Sequence, residues 1–244
     1  MPARVLVEIL VAAPFDTVWK AVREPAEICR WFGWEYPSLA ADVEWMFVKD
    51  VKVDETGRTL YADGRMDRFT LEPHGTHTLV RIIRSAPVTN AGWQGIYDDS
   101  FEGWITFMQQ LKFALERHPG AARRTIFLNG RAKAAEAPLP IDALDLARLA
   151  VVPIGERYAA RLPTDETIEG TVWHRSGHQL ALTVDGYGDG LLFVGTRPRT
   201  AKSLYGGGKI IVTTYGLADQ AFDLLRARWV EWWSRQYDVI ETQP

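Results

Sequence analysis

Residues 101–117 read FEGWITFMQQLKFALER. Phe101, Trp104, Met108, Leu111 and Leu115 recur at intervals of three and four, which places them on one face of an α-helix. Asp99 or Ser100 can cap its start, and His118-Pro119-Gly120 stops it. Strands lead up to it. Residues 43–53, 58–62, 66–72 and 78–84 are rich in β-branched and aromatic side chains. They are separated by the turn clusters Asp54-Glu55-Thr56-Gly57, Asp63-Gly64 and Pro73-His74-Gly75-Thr76-His77. That spacing predicts antiparallel hairpins. Residues 86–99, with Pro87, Asn90, Gly92 and Gly95, read as a loop. At the start of the chain, residues 4–11 are short and aliphatic and predict a strand. Pro14 opens a helix with Phe15, Val18, Trp19 and Val22 on one face, and Pro25 opens another with Ile28, Trp31 and Phe32 inward, closed by Gly33.

Downstream, residues 121–140 are rich in Ala and Arg and read as a connector with a short strand at 125–128. Residues 141–149 read as a short helix. Strands follow at 155–162, 168–174, 178–185, 190–196 and 209–215. A last helix, 217–237, carries Phe222, Leu225, Trp229 and Trp232 or Trp233. Both halves thus end in antiparallel strands and one tryptophan-rich helix. The expected organisation is a domain at 1–120, a connector at 121–140 and a second, incomplete α+β unit at 141–244. Trp232 and Trp233 are adjacent, and neighbours on a helix point about 100° apart. One of them is therefore expected to face its own sheet and the other a different surface.

The 244 residues are 47% apolar and 24% charged, with a formal net charge of -3. That balance excludes a disordered chain and argues against general nucleic-acid binding, which favours a basic surface. No apolar stretch reaches the roughly 18 residues that a membrane helix needs. Residues 5–13 carry Glu8 and run into Pro14, unlike a signal peptide. Cys29 has no second cysteine to pair with, which fits a reducing, cytoplasmic location, and it reads as a structural thiol.

Strand, two short helices, antiparallel strands and a long helix is the element order of the helix-grip fold. Ala13-Pro14, Val18-Trp19, Pro25 and Trp31-Phe32, then Leu71-Glu72-Pro73 with Gly75-Thr76, then Gly103-Trp104 with Leu111, resemble landmarks of the START-like superfamily. They are most similar to the family named for the activator of heat-shock-protein-ninety ATPase homologues. The resemblance covers residues 1 to about 118; the second half is only weakly similar. It implies a curved sheet gripping the long helix around a cavity that, across the superfamily, often holds an apolar or aromatic ligand. Some members are cyclases or dehydratases and others only bind. The co-chaperone behind the family name has an additional N-terminal domain that nothing here resembles.

Several local patterns suggest chemistry. His74 and His77, and His174 and His178, have metal-like spacing. Each pair lies where a hairpin turns and lacks further nearby ligands, so turn residues are the plainer reading and no metal or other cofactor is expected. Tyr205-Gly-Gly-Gly-Lys209 lacks the first Gly and the Ser or Thr of a phosphate loop. It reads as a strand connection. Gly186-Tyr-Gly-Asp-Gly190 leads into a strand, leaving no helix N-terminus for a pyrophosphate.

The expected cavity wall combines Trp19, Trp31, Trp45, Phe47 and Phe69 with Trp104, Phe107, Met108 and Leu111 from the long helix. A solid core is the plainer alternative for such an aromatic set. Alternation along 66–72 puts Asp67 on the face of Phe69 and Leu71, where an acid could serve as general acid or base. A solvated or salt-bridged Asp67 is the competing reading. The leading expectation is non-catalytic binding of a small apolar or aromatic molecule. The alternatives are a cyclase- or dehydratase-like enzyme using Asp67, with Tyr61 or Tyr97 in reserve, and a chaperone-linked module with a protein partner.

Overall fold

The computed structural model describes residues 4–49, 51–62, 67–84, 99–201 and 203–240. The chain is α+β and divides into two compact units, Met1–Ala121 and Ala122–Pro244. No helix among the described residues is long and apolar enough to cross a membrane.

The first unit opens with strand β1 (Arg4–Val11) and the short helices α1 (Phe15–Ala21), α2 (Pro25–Ile28) and α3 (Leu39–Glu44). Pro25 stands in the first turn of α2, where a missing N–H costs no hydrogen bond. Strands β2 (Lys52–Asp54), β3 (Thr59–Ala62), β4 (Asp67–His74) and β5 (His77–Arg84) follow, then helix α4 (Asp99–Arg117). The sheet is antiparallel in the order β1-β5-β4-β3-β2. The register shifts between Val5 and Val7 of β1, which leaves one extra residue in the ladder with β5. One face of the sheet packs on α4, with Val7, Phe69, Leu71, Val80 and Ile82 in the same core as Trp104, Met108 and Leu111.

The strand expected at 43–53 is corrected. Residues 39–44 are helical, Trp45–Lys49 is a π-helix, and only Lys52–Asp54 is strand. Leu39, Val43 and Phe47 are buried while Trp45 is 59% exposed. Inward positions four apart are a helical period, and β-branched composition had hidden it.

The second unit begins with β6 (Arg123–Ala132), α5 (Pro140–Ala143) and a 3-10 turn at Ala147–Val151. Strands β7 (Arg157–Arg161), β8 (Thr167–Arg175), β9 (Gln179–Val184), β10 (Gly190–Arg197) and β11 (Gly207–Tyr215) lead to helix α6 (Asp219–Gln236) and strand β12 (Tyr237–Val239). The seven-stranded sheet runs β12-β6-β11-β10-β9-β8-β7. It too runs strand, short helical turns, antiparallel strands and long helix, but with five strands between those turns and that helix rather than four and a further strand after it.

Two further expectations change here. The 121–140 connector contains β6, a ten-residue strand paired along its length with β11. Its basic residues obscured the alternation. Arg124 in fact lies 3.8 Å over the Phe222 ring and donates to Asp219 at 2.7 Å, so a charged side chain covers the apolar start of α6. The helix expected at 141–149 is interrupted at Asp145, whose φ of 56° is left-handed.

Trp232 and Trp233 are both buried in one core with Trp229 and Tyr237, not divided between two surfaces. The reason lies beyond the helix. Tyr237 leaves α6 in extended conformation, β12 returns along β6, and the Tyr237 ring stacks on Trp233 at 4.1 Å. Trp232 stands edge-on to Trp229 at 6.0 Å. The returning strand widens the surface that can cover the helix.

The Gly206–Gly208 run is likewise structural. Gly206 turns the chain at φ +66°, and Gly207 and Gly208 already belong to β11. A Cβ on Gly208 would stand 2.0 Å from the Gly195 carbonyl oxygen and 2.7 Å from Pro140. Backbone cannot yield as a flexible side chain can. Gly208→Ala is therefore expected to destabilise the second unit by about 1–3 kcal/mol. An unchanged denaturation midpoint would refute the close approach.

Candidate functional site

The inner face of the first sheet is set by register. His74 pairs with His77 across the Gly75-Thr76 turn, with Gly75 at φ +65°. Counting back seven residues on each strand brings Asp67 opposite Arg84. Residues directly opposite in an antiparallel pair share a face. Leu60, Phe69, Ile82 and Val7 form one continuous inward row. Asp67 lies at the end of the same face, as alternation predicts.

Asp67 is 0% exposed. Its carboxylate accepts from Arg84 Nε at 2.8 Å (Oδ1) and from Arg84 Nη2 at 2.8 Å (Oδ2). Trp104 Nε1 on α4 also donates to Oδ2, at 3.0 Å. Three of about four acceptor positions are thus filled. A bidentate guanidinium and an indole N–H hold a charge where water cannot. The carboxylate is both the fixed end of the site and the polar bolt that joins the long helix to the sheet.

Aromatic rings surround that bolt. Trp104 meets Phe69 edge-on at 5.2 Å and Phe107 at 6.0 Å, and Phe32 lies 6.3 Å away. Phe32 is the hub, 4.9 Å from Phe47, 4.8 Å from Phe107 and 5.8 Å from Trp31. Trp31 is fixed by its own indole N–H, which donates to the Ala21 carbonyl at 2.8 Å. Met108 and Leu111 are buried on the same side of α4.

The structure brings together Trp31, Phe47, Phe69, Trp104 and Phe107 from the expected wall. Two members lie elsewhere. Trp45 projects outward, because its π-helical position opposes that of Phe47. Trp19 is half-buried and stacks on Phe15 at 5.9 Å with the Arg23 guanidinium 5.2 Å above it. Trp104 therefore faces Phe69 and Phe32, not the Trp19 region. Tyr61 pairs with Arg68 on the opposite face from Leu60 and Phe69, away from Asp67. Tyr97 lies outside the described residues. Arg84 was missed, and Phe32, read as inward-facing, was left out of the expected wall. Arg84 was legible in principle from a two-residue turn at Gly75-Thr76, which fixes the hairpin register.

The histidine pairs occupy hairpins. His74 and His77 flank the first turn; His174 is the penultimate residue of β8 and His178 precedes β9.

In the second unit, Trp229 Nε1 on α6 donates to Tyr187 Oη at 3.2 Å, and Tyr187 Oη donates to Glu166 at 2.9 Å. Arg228 also donates to Glu166, at 3.3 Å. Both long helices thus anchor a tryptophan N–H to a carboxylate–arginine pair, directly at Asp67 in the first unit and through Tyr187 in the second. Burial is the main cause that pushes the Tyr187 phenol well above its usual range and Tyr215 up to about 12. Tyr36, in the first unit, is pushed up to about 12 by burial and by its hydrogen bond to Asp42.

These phenols hold their protons longer in the folded chain than in the unfolded one, where a phenol titrates near 10. Their contribution to stability is intact below about pH 10 and is lost as the pH rises from there through about 12. The melting temperature is expected to be level up to about pH 9.5 and to fall steeply by about pH 11. A flat profile across that window would contradict the burial.

No known family model matches the chain, and no curated protein sequence matches it. Solved structures similar to it include the following three. DynU16, a protein of the dynemicin biosynthetic locus, is 17% identical, with 93% of this chain and 94% of that chain covered and a TM-score of 0.30. The di-domain ARO/CYC StfQ from the steffimycin biosynthetic pathway is 12% identical, with 94% and 91% covered and a TM-score of 0.32. The di-domain ARO/CYC BexL from the BE-7585A biosynthetic pathway is 13% identical, with both chains fully covered (100%) and a TM-score of 0.31.

Proposed function

We propose that the first unit is a START-like module that binds a small, flat aromatic molecule between the sheet and α4 without transforming it. The observation that carries this reading is the state of Asp67. A general base needs an open lone pair within reach of the proton it takes. Here Arg84 and Trp104 take three of about four acceptor positions on a fully buried carboxylate, and Tyr61 faces away. Edge-to-face rings around Phe32 supply what a flat, neutral ring requires. The partner is then a small molecule rather than a protein, and a cytoplasmic setting suits the single thiol.

The test is titration of the full chain with 2-naphthol, followed by quenching of tryptophan fluorescence. Saturable 1:1 binding is expected, weakened about tenfold in Phe107→Ala, since one lost stacked ring is worth about 1.4 kcal/mol. Asp67→Asn should leave the probe chemically unchanged, as wild type does. Absence of saturable quenching by 2-naphthol, indole and benzoate would sink the reading. Conversion of any of these that stops in Asp67→Asn would favour the enzyme.

A further inference from the structure

The rings around Phe32 differ in how they are held. Trp104 is tied to Asp67 and Trp31 to the Ala21 carbonyl, and Phe69 is paired on both sides, with Leu60 of β3 and Ile82 of β5. Phe47 has no polar handle and sits on the π-helix Trp45–Lys49. A π-helix is rare, occurs mostly as a single turn within an α-helix, and is frequent at functional sites. The outer side of this segment is loosely covered, with Trp45 59% and Val48 43% exposed. Its inner side is the Phe47 ring, 6% exposed. That ring stands edge-on to Phe32 at 4.9 Å, to Trp31 at 6.1 Å and to Phe69 at 6.1 Å. The interplanar angles are 75°, 81° and 63° respectively. Three walls therefore present the geometry preferred for an aromatic guest, and the guest in this structure is the chain's own phenylalanine.

We infer that Phe47 is an internal plug: the π-helix Trp45–Lys49 swings outward to admit a ligand ring, which takes the place of the Phe47 ring against Trp31, Phe32 and Phe69. The inference rests on the binding reading above and adds to it the ligand class, one flat ring or two fused rings, and the element that opens. Three physical consequences follow. Binding first requires opening, so the observed affinity is the intrinsic one reduced by the small fraction of open molecules. The observed rate cannot exceed the rate of opening, however much ligand is present. Removing the plug relieves both limits, whereas altering a fixed wall relieves neither.

Stopped-flow binding of 2-naphthol to the full chain, read by tryptophan quenching, separates these cases. Wild type is expected to show an observed rate that levels off with probe concentration. Phe47→Ala is expected to bind at least tenfold tighter with a plateau at least tenfold faster. Phe47→Leu, which conserves most of the volume and guards against misfolding of the smaller variant, should lie between. Phe69→Leu should weaken binding and leave the plateau where it is. Binding seen only in the two Phe47 variants would mean that the native chain does not open, and overturns the plug together with the binding reading. Saturable binding whose rate rises linearly, with the same slope in wild type and both Phe47 variants, overturns the plug and leaves the binding reading intact. Absence of quenching in all four proteins overturns both.

Discussion

Trp104→Ala is expected to cost the first unit about 3–5 kcal/mol, the range for emptying a large aromatic position in a packed core. The side chain is 8% exposed and contacts rings from β4, from α4 itself and from the turn after α2. Its loss leaves a hole where three elements meet. It also removes an N–H donor from a buried carboxylate. Trp104→Phe separates the two effects. It keeps most of the packing and loses the hydrogen bond to Asp67, so about 1–3 kcal/mol should go. Urea unfolding of the full chain checks both values on the transition that carries the first unit. A loss below about 1 kcal/mol for Trp104→Ala would mean that α4 does not grip the sheet through this residue.

Arg84→Met is expected to have an effect of similar size for a different reason. Asp67 is wholly buried, while the Arg84 side chain is 23% exposed and can reach water. The two partners are therefore unequal. Removing Arg84 strands a carboxylate in the core with only the Trp104 N–H to satisfy it, and breaking a buried pair in this way costs about 3–5 kcal/mol. Asp67→Leu combined with Arg84→Met removes both charges and should regain most of that loss, because an apolar pair of similar volume often matches a buried ion pair. Denaturation midpoints at neutral pH for the single and double variants form the test. If the double variant is as unstable as Arg84→Met, the pair is more than a mutual neutralisation. Asp67 would then have to act on the rest of the core through Trp104.

Much of the architecture is local and was therefore readable. The apolar stripe of 101–117 specifies α4, and the short aliphatic run at 4–11 specifies β1. The alternation along 66–72 set the inward face of Asp67, Phe69 and Leu71 correctly, because a strand has a period of two whatever lies beside it. Stretches with two competing signals were misread. Residues 43–49 have strand composition and helix spacing, and packing of Leu39, Val43 and Phe47 against the core decides for the helix. Residues 123–132 are basic and Gly-containing, and pairing with β11 decides for the strand.

The sequence by itself determined the α+β class, two sheet-and-helix units, an aromatic core and an acid pointing into it, because each follows from periodicity within one element. The tertiary structure alone decided what those residues do. It placed Arg84 against Asp67 across a hairpin, brought Trp104 from a separate helix onto the same carboxylate, turned Trp45 outward and Phe47 inward on a π-helix, and returned β12 to bury both Trp232 and Trp233. Each of these depends on register or on the meeting of segments far apart in the chain. A local pattern says which way a side chain points, but not what it meets.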